Sequence, residues 1–241
     1  MGSEATPAPR PLRLAILEAD TPVPGVLAKY GRYGAVFAHL FRQACAPEPL
    51  ESQLALSSHD VVGDPASYPD PETLDAVLIT GSKHSAFEDD DWILRLVAYT
   101  KRLLEQPIVG RAMGAPVGRS DRGWELSVVD MALTDEGKRI FGGETLKIHH
   151  MHRDIIHEYP KGTIPLAHTD VCATQAMYIP RRMIALQGHP EFTEDMVREI
   201  LEMRHKGGIF PDDVFEDAMG RVANAHDGVA IARAFLKFLR E

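Results

Sequence analysis

The chain has 241 residues, of which 44% are hydrophobic and 25% are charged, as is typical of a globular protein with a full core. Its formal net charge of −9 argues against a nucleic-acid partner, because phosphate binding needs a clustered positive surface. No apolar run reaches membrane-spanning length, and no basic region followed by an apolar one marks a signal peptide. We therefore expect a cytoplasmic protein that binds neither membrane nor nucleic acid.

The first half of the chain alternates apolar runs of strand length with segments of helical spacing. Residues 1–11 are polar and proline-rich and predict a disordered tail, so we expect residues 12–241 to form a single domain. Strands are predicted at 12–18, 54–57, 74–80 and 107–110, and helices at 35–45 and 89–105. This alternation predicts a parallel sheet covered on both faces. Ligands bind at the carboxyl ends of such strands, which places 20–25, 81–85 and Gly110 along one rim.

The second half predicts short strands followed by helices. Residues 117–134 alternate in polarity and contain the turn-forming Ser120-Asp121-Arg122-Gly123, which favours an antiparallel hairpin. Further strands are predicted at 144–149, 164–168, 171–178 and 183–186, and helices at 193–206, 212–222 and 228–239, with Thr193 as the N-cap of the first helix. The predicted fold is therefore α/β, with a mostly parallel central sheet between two layers of helices and an antiparallel hairpin extension.

The stretch QGHPEF at 187–192 contains two residues suited to acid–base chemistry. Pro190 favours an extended conformation at His189, and in extended chain residues two apart project to the same side. His189 and Glu191 are then predicted to be neighbours, with the carboxylate holding the imidazole as in a catalytic triad. The alternative is a surface loop in which the two residue types coincide.

Histidine recurs at positions 149, 150, 152 and 157. Metal binding is one interpretation, but the spacing matches no zinc pattern and neither cysteine belongs to a ligand pair. We favour a loop that positions a ligand through backbone and imidazole groups, and we predict no metal and no cofactor.

Gly81 and Ser82 follow a predicted strand, where a glycine lets backbone N–H groups approach a ligand closely. They could form half of an oxyanion hole, although an ordinary turn would look the same. The two cysteines, Cys45 and Cys172, are too far apart in sequence to indicate a disulfide framework. Cys172 falls inside a predicted strand and Cys45 ends a predicted helix, so both are expected to be buried packing residues rather than activated thiols.

Four stretches together resemble class I glutamine amidotransferase-like proteins, in particular the stand-alone fungal proteins and the plant γ-glutamyl peptidases. They are LITGSKHS at 78–85, VGRAMGAPVGRSDRGWE at 109–125, HHMHRD at 149–154 and ALQGHPEF at 185–192. The resemblance implies a flavodoxin-like class I glutamine amidotransferase fold and a Cys-His-Glu triad. His189 and Glu191 match its second and third members, and Gly81 and Ser82 match its oxyanion loop. The family's ligand-side loop matches Met151-His152-Arg153-Asp154.

The sequence departs from the family pattern where the nucleophile is expected. In the family, a turn resembling Gly-Ile-Cys-Phe-Gly-His-Gln lies between a strand and the Arg-Ala-Met-Gly segment. Here Val109-Gly110 joins directly to Arg111-Ala112, so that roughly nine residues have no counterpart, the nucleophilic cysteine among them. A genuine in-frame loss and an error of gene prediction would both leave this junction.

The resemblance implies a lineage that hydrolyses the γ-amide of glutamine or γ-glutamyl peptides, in which this chain is inactive or severely impaired. The alternative is a pseudoenzyme that binds a small γ-glutamyl ligand or a protein partner. A third alternative is a chain that folds poorly and has no function.

Overall fold

The computed structural model describes residues 10–104 and 113–241, except for the side chain of residue 104. The strand predicted at 107–110, the junction at Gly110 and most of the predicted tail lie outside the described residues. Arg10, at the start of the described chain, donates two hydrogen bonds to the carboxylate of Asp75, at 2.7 and 2.8 Å.

Three strands from the first half form a parallel sheet. They are β1 (Leu12–Glu18), β2 (Leu54–Asp60) and β3 (Ala76–Ile79), in the order β2-β1-β3. Leu14 of the central strand is in register with Leu56 on one side and Ala76 on the other. The strands predicted at 12–18, 54–57 and 74–80 are confirmed, with β2 longer and β3 shorter than expected.

Helices cover both faces of this sheet. The helices of the first half are α1 (Pro24–Tyr30), α2 (Tyr33–Cys45), α3 (Leu50–Gln53) and α4 (Asp91–Leu104), with a 3₁₀ turn at Pro71–Thr73. Ile16 of β1 packs with Phe41 of α2, whereas its neighbour Leu17 packs on the opposite face with Tyr99 of α4. The side chains of Ile16 and Leu17 are both fully buried. Because β1 is covered by helices on both faces, its sequence is almost continuously apolar.

Residues 113–241, the second stretch that the structure describes, contain seven strands and four α-helices. The strands are β4 (Val117–Arg119), β5 (Glu125–Leu133), β6 (Thr145–His152), β7 (Asp154–Ile156), β8 (Ile164–His168), β9 (Ala176–Ile179) and β10 (Met183–Leu186). Five of them form an antiparallel sheet in the order β10-β9-β8-β5-β6, and β4 pairs with β7 alone. The antiparallel part is therefore larger than a hairpin extension. The helices are α5 (Asp135–Phe141), α6 (Glu194–Lys206), α7 (Asp212–Arg221) and α8 (Gly228–Phe238).

The hairpin predicted over 117–134 is wrong in its pairing. Val117 is in register with Ile156 of β7, whereas Glu125 is in register with His152 of β6. The turn itself is present, with the backbone N–H of Arg122 donating to Oγ of Ser120 at 3.1 Å. This turn leads the chain from the sheet that contains β4 into the sheet that contains β5. The alternation of polarity within 117–134 does not predict which strand each segment pairs with.

Two other local predictions need correction. Cys172 lies in a loop rather than in a strand, because Oγ1 of Thr169 accepts from its backbone N–H at 3.0 Å and a turn delays β9 until Ala176. Helix α5 was not predicted, although Thr134 caps it by accepting from the backbone N–H of Gly137 at 3.1 Å. Thr193 does precede α6, but its hydroxyl bonds the Asp195 side chain instead of a backbone N–H.

The helices of the described chain include none that is both long and apolar enough to cross a bilayer.

Candidate active site

The carboxyl ends of β1 and β3 lie side by side, as the parallel sheet requires. The backbone N–H of Thr80 donates to the carbonyl of Leu17 at 3.0 Å, and Oγ1 of Thr80 accepts from the backbone N–H of Ala19 at 2.9 Å. These bonds bring the loop after β1 against the Gly81–Ser85 loop, so the predicted rim is confirmed for these two segments. Gly110 lies outside the described residues.

A buried carboxylate, Asp20, anchors the loop after β3. Its Oδ2 accepts from the backbone N–H of Lys83 at 2.8 Å, and its Oδ1 accepts from the backbone N–H of Thr21 and the Lys83 ammonium, both at 2.7 Å. Charge-assisted bonds of this kind are roughly twice as strong as neutral ones. Asp20 therefore fixes the path of the chain immediately after Gly81 and Ser82.

His189 and Glu191 are hydrogen-bonded, with 2.9 Å between Nδ1 of the imidazole and Oε1 of the carboxylate. The predicted contact is confirmed, but the backbone between the two residues forms a turn rather than extended chain. The backbone N–H of Phe192 reaches the carbonyl of His189 at 3.4 Å, and the backbone N–H of His189 donates to the carbonyl of His149 at 2.7 Å. The second bond ties the site to β6.

The imidazole of His189 is held by contacts on two sides. The ring of Phe192 stacks on it with 4.0 Å between ring centroids and an interplanar angle of 3°. On its edge lies Gly81, where a Cβ atom would be only 2.5 Å from Cε1 of His189. Gly81 is thus required by the close approach of the imidazole, and it brings the predicted oxyanion loop into contact with His189.

Glu191 is buried, with 2% of its side chain exposed, whereas 17% of the His189 side chain is exposed. Burial, with further contributions from Glu191 and Asp20, raises the pKa of Tyr33, so this tyrosine stays neutral beside the two carboxylates. A buried carboxylate bonded to a partly open imidazole is the arrangement in which the acid orients the base and stabilises its cation.

The histidines of the second cluster lie in β6 and the residues that follow it, and not in a loop as predicted. Strand alternation separates them: Nδ1 of His150 lies 3.0 Å from Nε2 of His152, whereas His149 packs against His226 with 4.8 Å between ring centroids. Burial lowers the pKa of His152 to about 4, with a smaller contribution from the nearby His189. His152 is therefore neutral at physiological pH and close to the His189–Glu191 pair.

Arg153 and Asp154, also in the predicted ligand-side loop, contact β4 and the residue that follows it. The carbonyl of Arg153 accepts from the backbone N–H of Ser120 at 2.8 Å, and the carboxylate of Asp154 lies 3.6 Å from Nε of Arg119. Ser82 is exposed next to Gly81, and its hydroxyl accepts from the backbone N–H of His84 at 3.1 Å.

Glu125 of β5 was not among the residues singled out from the sequence. It is 4% exposed, it accepts from Oγ1 of Thr169 at 2.6 Å and from Nε2 of Gln175 at 2.5 Å, and its Oε2 lies 3.7 Å from Nε2 of His152. Only the register of β5 against β6 brings it to the histidines, since Glu125 faces His152 across the ladder.

Ser127, two residues farther along β5, has an unusual backbone conformation. Its φ is +64°, it is fully buried opposite His150, and its hydroxyl lacks a hydrogen-bond partner in the described part of the chain. A non-glycine residue in this region is strained by roughly 1–2 kcal/mol. Strain of this kind is concentrated at functional sites.

Neither cysteine has the surroundings of an activated thiol. Cys172 is 1% exposed, its sulfur accepts from Nε2 of Gln187 at 2.9 Å and lies 3.4 Å from Oγ1 of Thr174, and burial raises its pKa. Cys45 is 5% exposed at the end of α2, and burial raises its pKa too. Both are buried packing residues, as the sequence predicts.

Solved structures similar to this one establish the fold. A glutamine amidotransferase from Thermotoga maritima superimposes with a TM-score of 0.67 at 15% identity, covering 95% of this chain and 99% of that one. A glutamine amidotransferase from Methylobacillus flagellatus gives a TM-score of 0.66 at 18% identity, covering 96% and 94%. The fold is the flavodoxin-like fold of class I glutamine amidotransferases, which confirms the predicted class.

Sequence relatives define the family. A glutamine amidotransferase-like protein of Schizosaccharomyces pombe is 32% identical over 244 residues, covering 95% of this chain and 98% of that protein. Gamma-glutamyl peptidase 4 of Arabidopsis thaliana is 29% identical over 196 residues, covering 74% and 75%. No family model matches the chain. The chain belongs to the class I glutamine amidotransferase-like family.

Proposed function

We propose that this protein retains the His-Glu half of a Cys-His-Glu triad and binds a glutamine or γ-glutamyl ligand without hydrolysing it at a measurable rate. The observation that carries the proposal is the pair His189–Glu191, bonded at 2.9 Å and lying against Gly81. In this arrangement Glu191 orients the imidazole, and the loop at Gly81 and Ser82 offers backbone N–H groups to a carbonyl oxygen.

The nucleophile is the part that is lacking. An imidazole that acts as a general base needs a thiol to deprotonate, and the sequence has cysteine at positions 45 and 172 only. Cys172 is buried and hydrogen-bonded to Gln187, with a raised pKa, so it does not replace a thiol at the helix N-terminus. A triad enzyme without its nucleophile keeps only the catalysis that binding and the oxyanion hole supply.

The ligand class rests on the relatives. Similar proteins carry the names glutamine amidotransferase and gamma-glutamyl peptidase. His152, close to His189, is the strongest candidate for contact with such a ligand, together with Gly81, which lies against His189, and the neighbouring Ser82. Arg153 and Asp154 would contribute indirectly, because their contacts with Ser120 and Arg119 position the chain that follows His152. The proposed role needs no cofactor, and we place the protein in the cytoplasm.

The second candidate is an enzyme that remains active through some other group. The well-formed His189–Glu191 pair is the observation that favours it, because a binding module has no evident need for an oriented imidazole.

Two measurements on the purified protein separate these candidates. We expect glutamine or glutathione to raise the melting temperature, and His189→Ala to abolish this shift, whereas His168→Ala, at an exposed position of β8, should preserve it. We also expect no release of ammonia or glutamate from glutamine or γ-glutamyl peptides. Turnover by protein free of host amidases would reject the inactive pseudoenzyme, and unchanged melting with every ligand would reject the binding role.

The state of the cysteines provides an independent check. Because both thiols are buried, iodoacetamide should label them slowly in the native protein and quickly in denaturant. Rapid labelling of native Cys172 at neutral pH would reveal an activated thiolate and would favour the active enzyme.

A further inference from the structure

Glu125, His150 and His152 form a compact cluster of potential metal ligands. One ligand atom from each of the three lies within 4.8 Å of the other two. Nδ1 of His150 is 3.0 Å from Nε2 of His152, which is 3.7 Å from Oε2 of Glu125. Two ligands that each lie 2.0–2.2 Å from a tetrahedral zinc ion are about 3.4 Å apart, so both distances need to change by only a few tenths of an ångström.

The charge of the cluster is not balanced by its protein neighbours. Glu125 is almost fully buried, and its hydrogen-bond donors, Thr169 and Gln175, are both neutral. His150 is fully buried, and 13% of the His152 side chain is exposed. A buried carboxylate without a cation is costly, and proteins compensate such a charge by pairing it, protonating it or coordinating a metal.

Several polar atoms around the cluster also lack partners. Within the described residues, Nε2 of His150, Nδ1 of His152 and Oε1 of Gln175 are buried without a hydrogen bond. A metal ion bound by Nδ1 of His150 and Nε2 of His152 would displace the proton that these nitrogens now share. That proton would move to the other nitrogen of its own ring, Nε2 of His150 or Nδ1 of His152, so both imidazoles stay neutral. The Thr169 and Gln175 bonds would then orient the Glu125 carboxylate, as outer partners of metal ligands do.

We propose that Glu125, His150 and His152 bind one divalent transition-metal ion, with zinc as the preferred ion. Two imidazoles and one carboxylate are a ligand set that zinc uses when it keeps its fourth position open, and neutral imidazole is the form that binds it. The partly exposed edge of His152 provides the approach for the ion. The site lies beside the His189–Glu191 pair but does not depend on any activity of that pair.

The test is zinc binding by the full chain in the absence of substrate. Protein stripped with EDTA and desalted is titrated with zinc chloride against the fluorescent chelator mag-fura-2, and bound metal is counted by mass spectrometry after dialysis. We expect one zinc per chain. Glu125→Gln and His150→Gln should each weaken binding by more than the 10- to 100-fold that outer partners contribute.

The matched control is His84→Gln in a second group, His84, Glu88 and Asp90, whose members lie on an exposed loop. We expect this variant to bind zinc like the wild-type protein. Circular dichroism in the presence of EDTA establishes that each variant is folded. Should His150→Gln unfold, Glu125→Gln and the visible spectrum of the wild-type protein with cobalt, in which tetrahedral coordination gives intense bands, decide the question.

The proposal is overturned if the wild-type protein retains far less than one zinc, which would mean that protonation of Glu125, and not a metal ion, removes its buried charge. It is equally overturned if binding survives Glu125→Gln and is lost with His84→Gln. Because no glutamine or γ-glutamyl compound is present, failure here leaves the proposed ligand binding unaffected.

Discussion

Gly81 lies against the imidazole of His189 so closely that a Cβ atom at position 81 would be 2.5 Å from Cε1. The end of β3 and the segment after β10 come from distant parts of the sequence, and this contact joins them. The imidazole of His189 can occupy this position because residue 81 has no side chain.

Gly81→Ala should displace the His189 ring and weaken its bond to Glu191. Because the ring is partly exposed and can move, we expect a loss of about 1–3 kcal/mol in the free energy of unfolding, together with loss of the melting shift caused by glutathione. Gly220→Ala in α7 is the control, since a Cβ there meets nothing within 4 Å and should stabilise the helix by about 0.5–1 kcal/mol. Equal urea midpoints for the two variants would contradict the assigned contact.

Asp20→Asn should loosen the loop that carries Gly81 and Ser82. In asparagine, an NH₂ group replaces one of the two carboxylate oxygens and faces a backbone N–H of Thr21 or Lys83, which is also a donor. The loss of hydrogen bonds to a charged acceptor should lower the free energy of unfolding by about 2 kcal/mol. Hydrogen exchange of the backbone amides at 81–85 should accelerate. Asp130→Asn changes an exposed carboxylate whose ion pair with Lys147 is 3.7 Å long, and it should shift the urea midpoint little. If the exchange at 81–85 is unchanged, Asp20 does not anchor the loop.

Ser127→Gly should stabilise the protein. Glycine adopts φ = +64° without the steric cost that serine bears, and the change also removes a buried hydroxyl without a partner. We expect a gain of about 1 kcal/mol in the free energy of unfolding, after allowing for the greater flexibility of glycine in the unfolded chain. Ser127→Ala removes the hydroxyl but keeps the backbone strain, so it should gain less. Equal gains from the two variants would show that the backbone of Ser127 is not strained.

His226 should make the protein less stable as the pH falls. Burial lowers its pKa below 6.5, against a smaller opposing effect of Asp227, and its Nδ1 accepts from the backbone N–H of Gly228 at the start of α8, at 3.2 Å. The unfolded chain therefore binds this proton at a higher pH than the folded chain does, so stability falls as the pH drops below about 6.5.

His226→Asn keeps an acceptor for Gly228 and removes the titrating group. Between pH 7.5 and 5.5, the free energy of unfolding should therefore depend less steeply on pH in this variant, by at most about 1.4 kcal/mol per pH unit. The same slope in variant and wild type would mean that His226 titrates alike in the folded and unfolded states.

Restoring the family's turn should create activity. Inserting Ile-Cys-Phe-Gly-His-Gln-Ile-Val-Gly between Gly110 and Arg111 supplies a thiol and a further backbone donor for the oxyanion, so we expect release of glutamate from glutamine or γ-glutamyl peptides. Changing the inserted cysteine to alanine should abolish the reaction. His189→Ala in the restored protein should lower the rate by about 10²–10⁴-fold, because general-base activation is lost. A folded but inactive restored protein would favour a role in binding alone.

Local signals predict the elements around the rim well. The apolar runs of β1 and of the strand before Gly81 are recognisable because few polar residues interrupt them, and Pro190 marks the change of conformation at His189. The sequence also predicts that His189 and Glu191 are neighbours, but through extended chain, whereas a turn brings the two side chains together. The strand positions depend on neighbours in the chain and are determined by the sequence, and the turn is not.

The partners of those elements depend on the tertiary structure. The register of β5 against β6 places Glu125 opposite His152. The close approach of the His189 imidazole is the reason that position 81 requires glycine. Likewise, β4 pairs with β7 and not with β5, because a turn fixes where the chain reverses but not which strand it joins. A side chain's neighbours across a sheet are chosen by the packing of the whole fold, whose free energy outweighs any local preference.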